Sequence, residues 1–428
     1  MSQIKLNPTK LKGQVSVPPS KSLAHRAIIA ASLSNGQSRI DNIEYSQDIK
    51  ATIKAMEALG TRIEQYDDYL IIDGKSTFSK NNTMPGVEID CEESGSTLRF
   101  MVPISIAKEN KVRFIGRGNL GKRPLDTFYE IFERQNIGYL YRENVLDLNI
   151  VGTLKPDLYR IPGHISSQFI TGLLFALPLL SSDSIIEITT PLESKGYIDL
   201  TLDVLKLYGI EIINHNYKQF IVRGRQEYQA RDYRVEADFS QAAFYLVAGA
   251  LNNDVTLMDL NLNSLQGDKA TIDFLQAMNC TLEKKNGGIQ VVSHGLQHTV
   301  VDASQCPDVI PVVTLALALS KGHSEVINAS RLRIKECDRL SATVLELNKL
   351  GAKVIEHESS MEIEGVDYLT GGAVSSHDDH RMAMMLAIAS TVCKEPMVID
   401  NKECVKKSYP SFWEDFAALG GKIDASDI

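Results

Sequence analysis

The 428-residue sequence has no apolar run long enough to cross a membrane. Its longest, Phe169 to Leu180, is broken by Thr171, Gly172 and Pro178 and falls short of the roughly 18 residues a span requires, so no membrane partner is expected. There is one Trp, and the six cysteines (Cys91, Cys280, Cys306, Cys337, Cys393 and Cys404) include no C-x-x-C pair. That spacing argues against a disulfide framework and a structural zinc site; no metal is expected. With only 14 Pro and 28 Gly, collagen-like and low-complexity architectures are excluded. Basic side chains are outnumbered 54 to 45, giving a formal net charge of -9, which disfavours nucleic acid as a partner but permits a local basic pocket. The start, Met1-Ser2-Gln3-Ile4-Lys5, lacks a basic segment followed by an apolar core, so a cytoplasmic location is expected. What remains, 43% hydrophobic and 23% charged residues, is ordinary for a globular chain, and the length predicts two domains.

An internal repeat organises the chain. Six times an amphipathic helix runs into Gly or Asn and then into a short alternating strand, at Gly60, Asn136, Gly209, Asn279, Gly351 and Gly420, 69 to 76 residues apart. Gly and Asn are the residues that most readily take the left-handed conformation ending a helix, which explains their exchange within the repeat. The first unit reads as strand Gln14 to Val17, helix Leu23 to Leu33, strand Arg39 to Ile43, helix Asp48 to Leu59, strand Arg62 to Gln65 and return strand Tyr69 to Asp73, a βαβαββ order. Apolar helices restart near Thr97, Gln168, Ser240, Asp308 and Arg381, some apolar nearly all round, which marks buried helices. The sixth unit lacks a return strand, and the segment beginning Gln3-Ile4-Lys5-Leu6 has the pattern to replace it. The expected fold is α/β, a two-domain inside-out barrel of six βαβαββ repeats. The expected lobes are residues 13–227, and 228–428 plus 1–12, free to hinge about a ligand.

Aligning the units aligns their strand-to-helix loops. The first loops carry Ser20-Lys21-Ser22 with Arg26, Glu93-Ser94-Gly95-Ser96 with Arg99, Ser166-Ser167-Gln168, Asp238, Asp308 and Asp379-His380-Arg381. The second loops carry Asp48, Arg123, Ser194-Lys195-Gly196-Tyr197, Gln266-Gly267-Asp268, Lys335-Glu336 with Arg339, and Lys406-Lys407. Ser, Asp and Gly at such places are usually helix caps. Lys21, Arg26, Arg99, Arg123, Lys335, Arg339, Arg381 and Lys407 fit capping poorly, since a helix N-terminus disfavours cations unless an anion sits there. The pattern implies a ligand with several anionic groups, met by bidentate Arg and point-charge Lys contacts. Asp308, Lys335, Glu336 and the Asp379-His380 pair are the candidates for proton chemistry. Gly116-Arg117-Gly118-Asn119-Leu120-Gly121 matches a dinucleotide-loop pattern but lacks the acidic residue about 20 positions on, and Arg123 stands where a P-loop needs Ser or Thr; Pro124 reads as a first helical residue instead.

These residues, with Pro18-Pro19-Ser20-Lys21-Ser22, Gly95-Ser96-Thr97-Leu98-Arg99, Lys122-Arg123-Pro124, Lys335-Glu336-Cys337-Asp338-Arg339 and Asp379-His380-Arg381-Met382-Ala383-Met384, resemble the 3-phosphoshikimate 1-carboxyvinyltransferase (EPSP synthase) family along the whole chain. The resemblance implies transfer of the enolpyruvyl group of phosphoenolpyruvate to the 5-hydroxyl of shikimate 3-phosphate, without a cofactor, by a protein expected to be a monomer. Carried over, Lys21, Ser22, Arg26, Ser166, Ser167, Gln168, Ser194, Tyr197, Asp308 and Lys335 resemble shikimate 3-phosphate contacts. Lys21, Gly95, Arg123, Gln168, Arg339, Arg381 and Lys407 resemble phosphoenolpyruvate contacts. Asp308, Lys335 and Glu336 are the expected catalytic residues, Asp308 as the base. The chain departs from the family pattern at Glu93-Ser94, Phe100 and Arg331. Two alternatives stand beside this reading. One is the sister transferase acting on UDP-N-acetylglucosamine, which carries a Cys where this chain has Gly118; the other is a catalytically silent anion-binding protein on the same fold.

Overall fold

A computed structural model describes residues 2–78, 86–142 and 144–424. Six four-stranded sheets are found among the described residues, all wired alike. The first two strands of a sheet run parallel and the return strand pairs antiparallel to the second, with the third strand outside it, as in Val87–Asp90, Lys111–Ile115, Val145–Val151 and Gly138–Arg142. Alternation within the strands sets their faces: Leu146, Leu148 and Ile150 are buried while Val145 and Val151 are exposed, the period of a half-buried strand.

The chain divides into two compact units, Pro19–Val235, and Met1–Pro18 with Glu236–Ile428. In the first, the helices Lys21–Leu33, Gly95–Ile106 and Ser167–Ala176 are buried along most of their length. Gly172 permits a close approach there, because a Cβ would strike the carbonyl oxygen of Arg99. In the second, Phe239–Ala250, Ile310–Ala318 and His380–Ser390 are buried at every residue, so the apolar faces predicted all round are covered all round, each large side chain contributing about 1.5–3 kcal/mol of transfer free energy. The six repeat residues Gly60, Asn136, Gly209, Asn279, Gly351 and Gly420 all have φ between 54° and 102°, the left-handed ends expected of them.

The strand Gln3–Asn7 pairs antiparallel with Met397–Asp400 and with Lys422–Ile423, taking the return-strand place in the sixth sheet. The expected lobe boundaries need correction. Lys12–Ser16, which overlaps the stretch Gln14 to Val17 expected as the first strand of unit one, pairs instead with Asp254–Met258 of unit four, and Tyr233–Arg234 of unit four pairs with Gln37–Asp41 of unit one. The two units have thus exchanged first strands, which moves the crossings from 12/13 and 227/228 to 18/19 and 235/236. Residues 1 and 425–428 of the expected second lobe lie outside the described residues. Pro124 is also corrected: the helix begins at Asp126, and the Pro124 carbonyl accepts a bond from Arg99 Nη2 at 3.1 Å.

Candidate active site

Capping and function share the same loops. Ser20, Ser94, Ser166, Asp238 and Asp379 each accept a backbone N–H in the first turn of the buried helix that follows, as helix N-termini require. Asp308, at the matching place in the fifth unit, does something else. The helix Ile310–Ala318 starts at Val309 without a side-chain cap, and the Asp308 carboxylate meets three cations.

In the unit Pro19–Val235, Lys21 opens its helix and pairs with Asp48 at 2.8 Å. Arg26 lies one turn further on, buried, donating to Ser22 O at 2.7 Å, Thr201 Oγ1 at 2.9 Å, Tyr197 O at 2.9 Å and Thr171 Oγ1 at 3.4 Å, with its guanidinium 5.3 Å from the Phe100 ring centre. Every one of these partners is neutral, and burial pushes Arg26 down to about 10, which leaves it charged at neutral pH. Desolvated positive charge without a carboxylate partner favours an anion nearby.

Gln168 links two helix starts, accepting from Arg99 Nη1 at 2.8 Å and donating to Ser96 Oγ at 2.9 Å. Gly95 is the first residue of its helix, and a Cβ there would collide with Arg123 Nη1. The Arg123 guanidinium therefore lies beside the first residue of a helix, whose N-terminal dipole favours an anion there. Ser166 and Ser167 are buried at the start of Ser167–Ala176; Ser194 is buried in the left-handed conformation (φ 53°) before Lys195–Leu207, with Tyr197 in the first turn.

In the other unit, Asp308 Oδ1 accepts from Lys335 Nζ and Arg339 Nη1, each at 3.0 Å, and Oδ2 accepts from Arg381 Nη2 at 3.1 Å. Arg339 also donates to Glu336 Oε2 at 2.7 Å and to Asp379 Oδ2 at 2.7 Å, and Arg381 donates to Ser240 Oγ at 3.0 Å. Burial raises Asp308, but Arg381, Lys335 and Arg339 overcome it and hold the carboxyl well below its usual range. Burial brings Lys335 down to about 8 against the opposing pull of Asp308, with Arg331 and Arg339 adding to the fall. Ion clusters withdrawn from water are poor sources of stability because desolvation offsets the attraction, so a set of this size, with Arg339, Asp379 and Arg381 buried and Asp308, Lys335 and Glu336 half-buried, points to function. Lys407 is also buried, at the end of the turn Lys402–Lys407.

The structure thus joins Asp308, Lys335, Glu336, Arg339 and Arg381 in one network; in the other unit Lys21, Arg26, Gly95 beside Arg123, Gln168 and the serines stand in or next to the first turns of helices, each with its own local contacts. Asp379, expected only as half of a proton-transfer pair with His380, takes a structural place in the Asp308 network, and Ser240 was not expected there at all. Asp379 is the hub between Arg339 and the helix of Arg381, and Ser240 holds the Arg381 guanidinium. Their positions at the starts of two buried helices were the available signal.

Residues 6–416 match the family described as EPSP synthase (3-phosphoshikimate 1-carboxyvinyltransferase). The chain is 57% identical over 433 residues to the 3-phosphoshikimate 1-carboxyvinyltransferase of Clostridioides difficile (strain 630), with 99% of each chain covered. It is 56% identical over 422 residues to that of Clostridium perfringens (strain ATCC 13124), covering 98% of this chain and 99% of the relative. Among solved structures, an EPSP synthase from Acinetobacter baumannii superposes with a TM-score of 0.81 at 23% identity, covering 99% of both chains. The enolpyruvyl transferase NikO from Streptomyces tendae superposes at 0.79 and 14% identity, covering 99% of this chain and 98% of its own. The structural likenesses establish the two-domain inside-out α/β fold, and the sequence match establishes more: this chain is a member of the EPSP synthase (3-phosphoshikimate 1-carboxyvinyltransferase) family.

Proposed function

We infer that this chain transfers the enolpyruvyl group of phosphoenolpyruvate to the 5-hydroxyl of shikimate 3-phosphate and releases inorganic phosphate, a step in aromatic amino-acid biosynthesis. The observation that carries this reading is the grip of Lys335, Arg339 and Arg381 on Asp308, which puts a carboxylate base and a proton-exchanging Lys beside two guanidinium groups suited to an anionic substrate. Lys21, Ser22, Arg26, Ser166, Ser167, Gln168, Ser194 and Tyr197 bind shikimate 3-phosphate, and Gly95, Arg123, Arg339, Arg381 and Lys407 bind phosphoenolpyruvate, with Lys21 and Gln168 serving both.

In the reaction C3 of phosphoenolpyruvate gains a proton, and the 5-hydroxyl oxygen bonds to C2 as its own proton leaves. The C2–O bond to phosphate then breaks, and C3 returns a proton to restore the double bond. Asp308 takes the hydroxyl proton. Held well below its usual range by three cations, it is a weak base before substrate arrives; an anion on Arg339 and Arg381 draws their field away and raises its basicity. Lys335, brought down to about 8, exchanges a proton near neutral pH, and Glu336 holds Arg339 in place.

The UDP-N-acetylglucosamine reading is disfavoured by more than a missing thiol. Gly118 has φ 56°, a left-handed conformation in which a Cys would be strained. A silent anion-binding protein would have no use for the Asp308, Lys335 and Glu336 set. Phosphate release from phosphoenolpyruvate, measured with each acceptor separately, tests the reading. Release with shikimate 3-phosphate alone is expected; release only with the nucleotide sugar, or with neither acceptor, would overturn it.

A further inference from the structure

Arg339 and Arg381 both depend on Asp379, which accepts from Arg339 Nε at 2.7 Å and from the backbone N–H of Arg381 at 2.8 Å. The residues just before Asp379 are held in an uncommon shape: His377 and Asp378 are consecutive left-handed non-glycine residues, with φ of 52° and 56°. Such a conformation persists only where its surroundings over-determine it.

Those surroundings are built from the helix Arg339–Lys349 and the strand Met397–Asp400. Glu346, fully buried, accepts from Ser375 N at 3.0 Å through Oε2 and meets His377 Nε2 at 2.7 Å through Oε1. Asp400 accepts from Ser375 Oγ at 2.8 Å and from Ser376 N at 2.6 Å, and Asn401 Nδ2 donates to Asp378 Oδ1 at 2.6 Å. Glu346 stands seven residues after Arg339, two turns along and on the same face of one helix. That helix therefore grips the segment 375–381 twice, through Arg339 on Asp379 and through Glu346 on His377 and Ser375.

We propose that Glu346 and His377 are positioning residues: their contact holds the left-handed turn that fixes Asp379, and through it sets the placement of Arg339 and Arg381. This deepens the activity proposed above and rests on it for its kinetic readout. The charged groups facing His377 are Glu346 and Lys349 from the helix and Asp400 from the strand. The hydrogen bond to Glu346 raises the imidazole above its ordinary value, against burial and Lys349, so the ionic part of this contact is lost as pH rises through the folded value of His377.

The test uses His377→Asn, in which Asn tolerates the left-handed backbone but lacks the ring, and Glu346→Gln. Both are expected to raise KM for phosphoenolpyruvate about tenfold or more with a smaller change in kcat, and to speed hydrogen exchange at the amides of Ser376, Asp379 and Arg381 while the buried helices stay protected. The limb of the kcat/KM profile assigned to His377 by its ring-proton titration should vanish in His377→Asn and move to lower pH in Glu346→Gln. Unchanged KM, exchange and pH profile in both variants would overturn the proposal, as would a loss of activity that merely tracks the unfolded fraction. If the native chain turned over no shikimate 3-phosphate, the reading of its activity would fail, while exchange and ring titration would still decide the role of the two residues.

Discussion

Arg381 Nη2 lies 3.1 Å from Asp308 Oδ2, joining residues 73 positions apart. Each is placed by the start of a different buried helix, and neither contact is a cap. In the proposed reaction this pair matters because the charge that steadies Asp308 is the charge an anionic substrate would draw away.

Gly95 should be sensitive to the smallest enlargement. In Gly95→Ala the new methyl group displaces the Arg123 guanidinium, and misplacing a binding group by about 1 Å costs up to about 100-fold. Steady-state kinetics are expected to show a raised KM for phosphoenolpyruvate with the fold intact, since nothing but a flexible side-chain end must move.

Gly172→Ala should instead act on stability. Its methyl group meets the Arg99 carbonyl oxygen, lies 2.9 Å from Pro103 Cγ and 3.2 Å from Phe100 Cα, so backbone must shift between Gly95–Ile106 and Ser167–Ala176. Denaturant titration should show a loss of about 1–3 kcal/mol, with residual activity following the folded fraction.

Lys335 gives a pH dependence with a definite sign. Its folded value of about 8 lies below the free lysine value, so between about 8 and about 10.4 the unfolded chain binds the extra proton and Lys335 adds stability as pH rises, while at neutral pH it opposes folding. Lys335→Met should remove a kcat/KM limb near pH 8 and make the protein slightly more stable at pH 7 if the site relaxes around the neutral side chain. Retention of the limb would show that another group carries that proton.

Much of this was legible in the chain because it is local. A left-handed helix end demands Gly or Asn, and all six repeat positions satisfy that demand; a helix apolar all round must be buried, and Phe239–Ala250, Ile310–Ala318 and His380–Ser390 are. Strand partnership is not local: alternation sets which face of Lys12–Ser16 is inward but not which sheet receives it, and two first strands are exchanged between units. The site divides the same way. Loop chemistry marked Asp308, Lys335 and Arg381, whereas the hub role of Asp379, the grip of Ser240 on Arg381 and the contact of Glu346 with His377 depend on approaches between elements far apart in sequence.

The most direct test of the account is the turnover of Asp308→Asn with phosphoenolpyruvate and shikimate 3-phosphate. Replacing the carboxylate removes one anionic partner from each of Lys335, Arg339 and Arg381, while Glu336 and Asp379 still hold Arg339 and Ser240 still holds Arg381. The account predicts a fall in kcat of at least about 100-fold with phosphoenolpyruvate bound no more weakly. A variant that turns over at the native rate would contradict it.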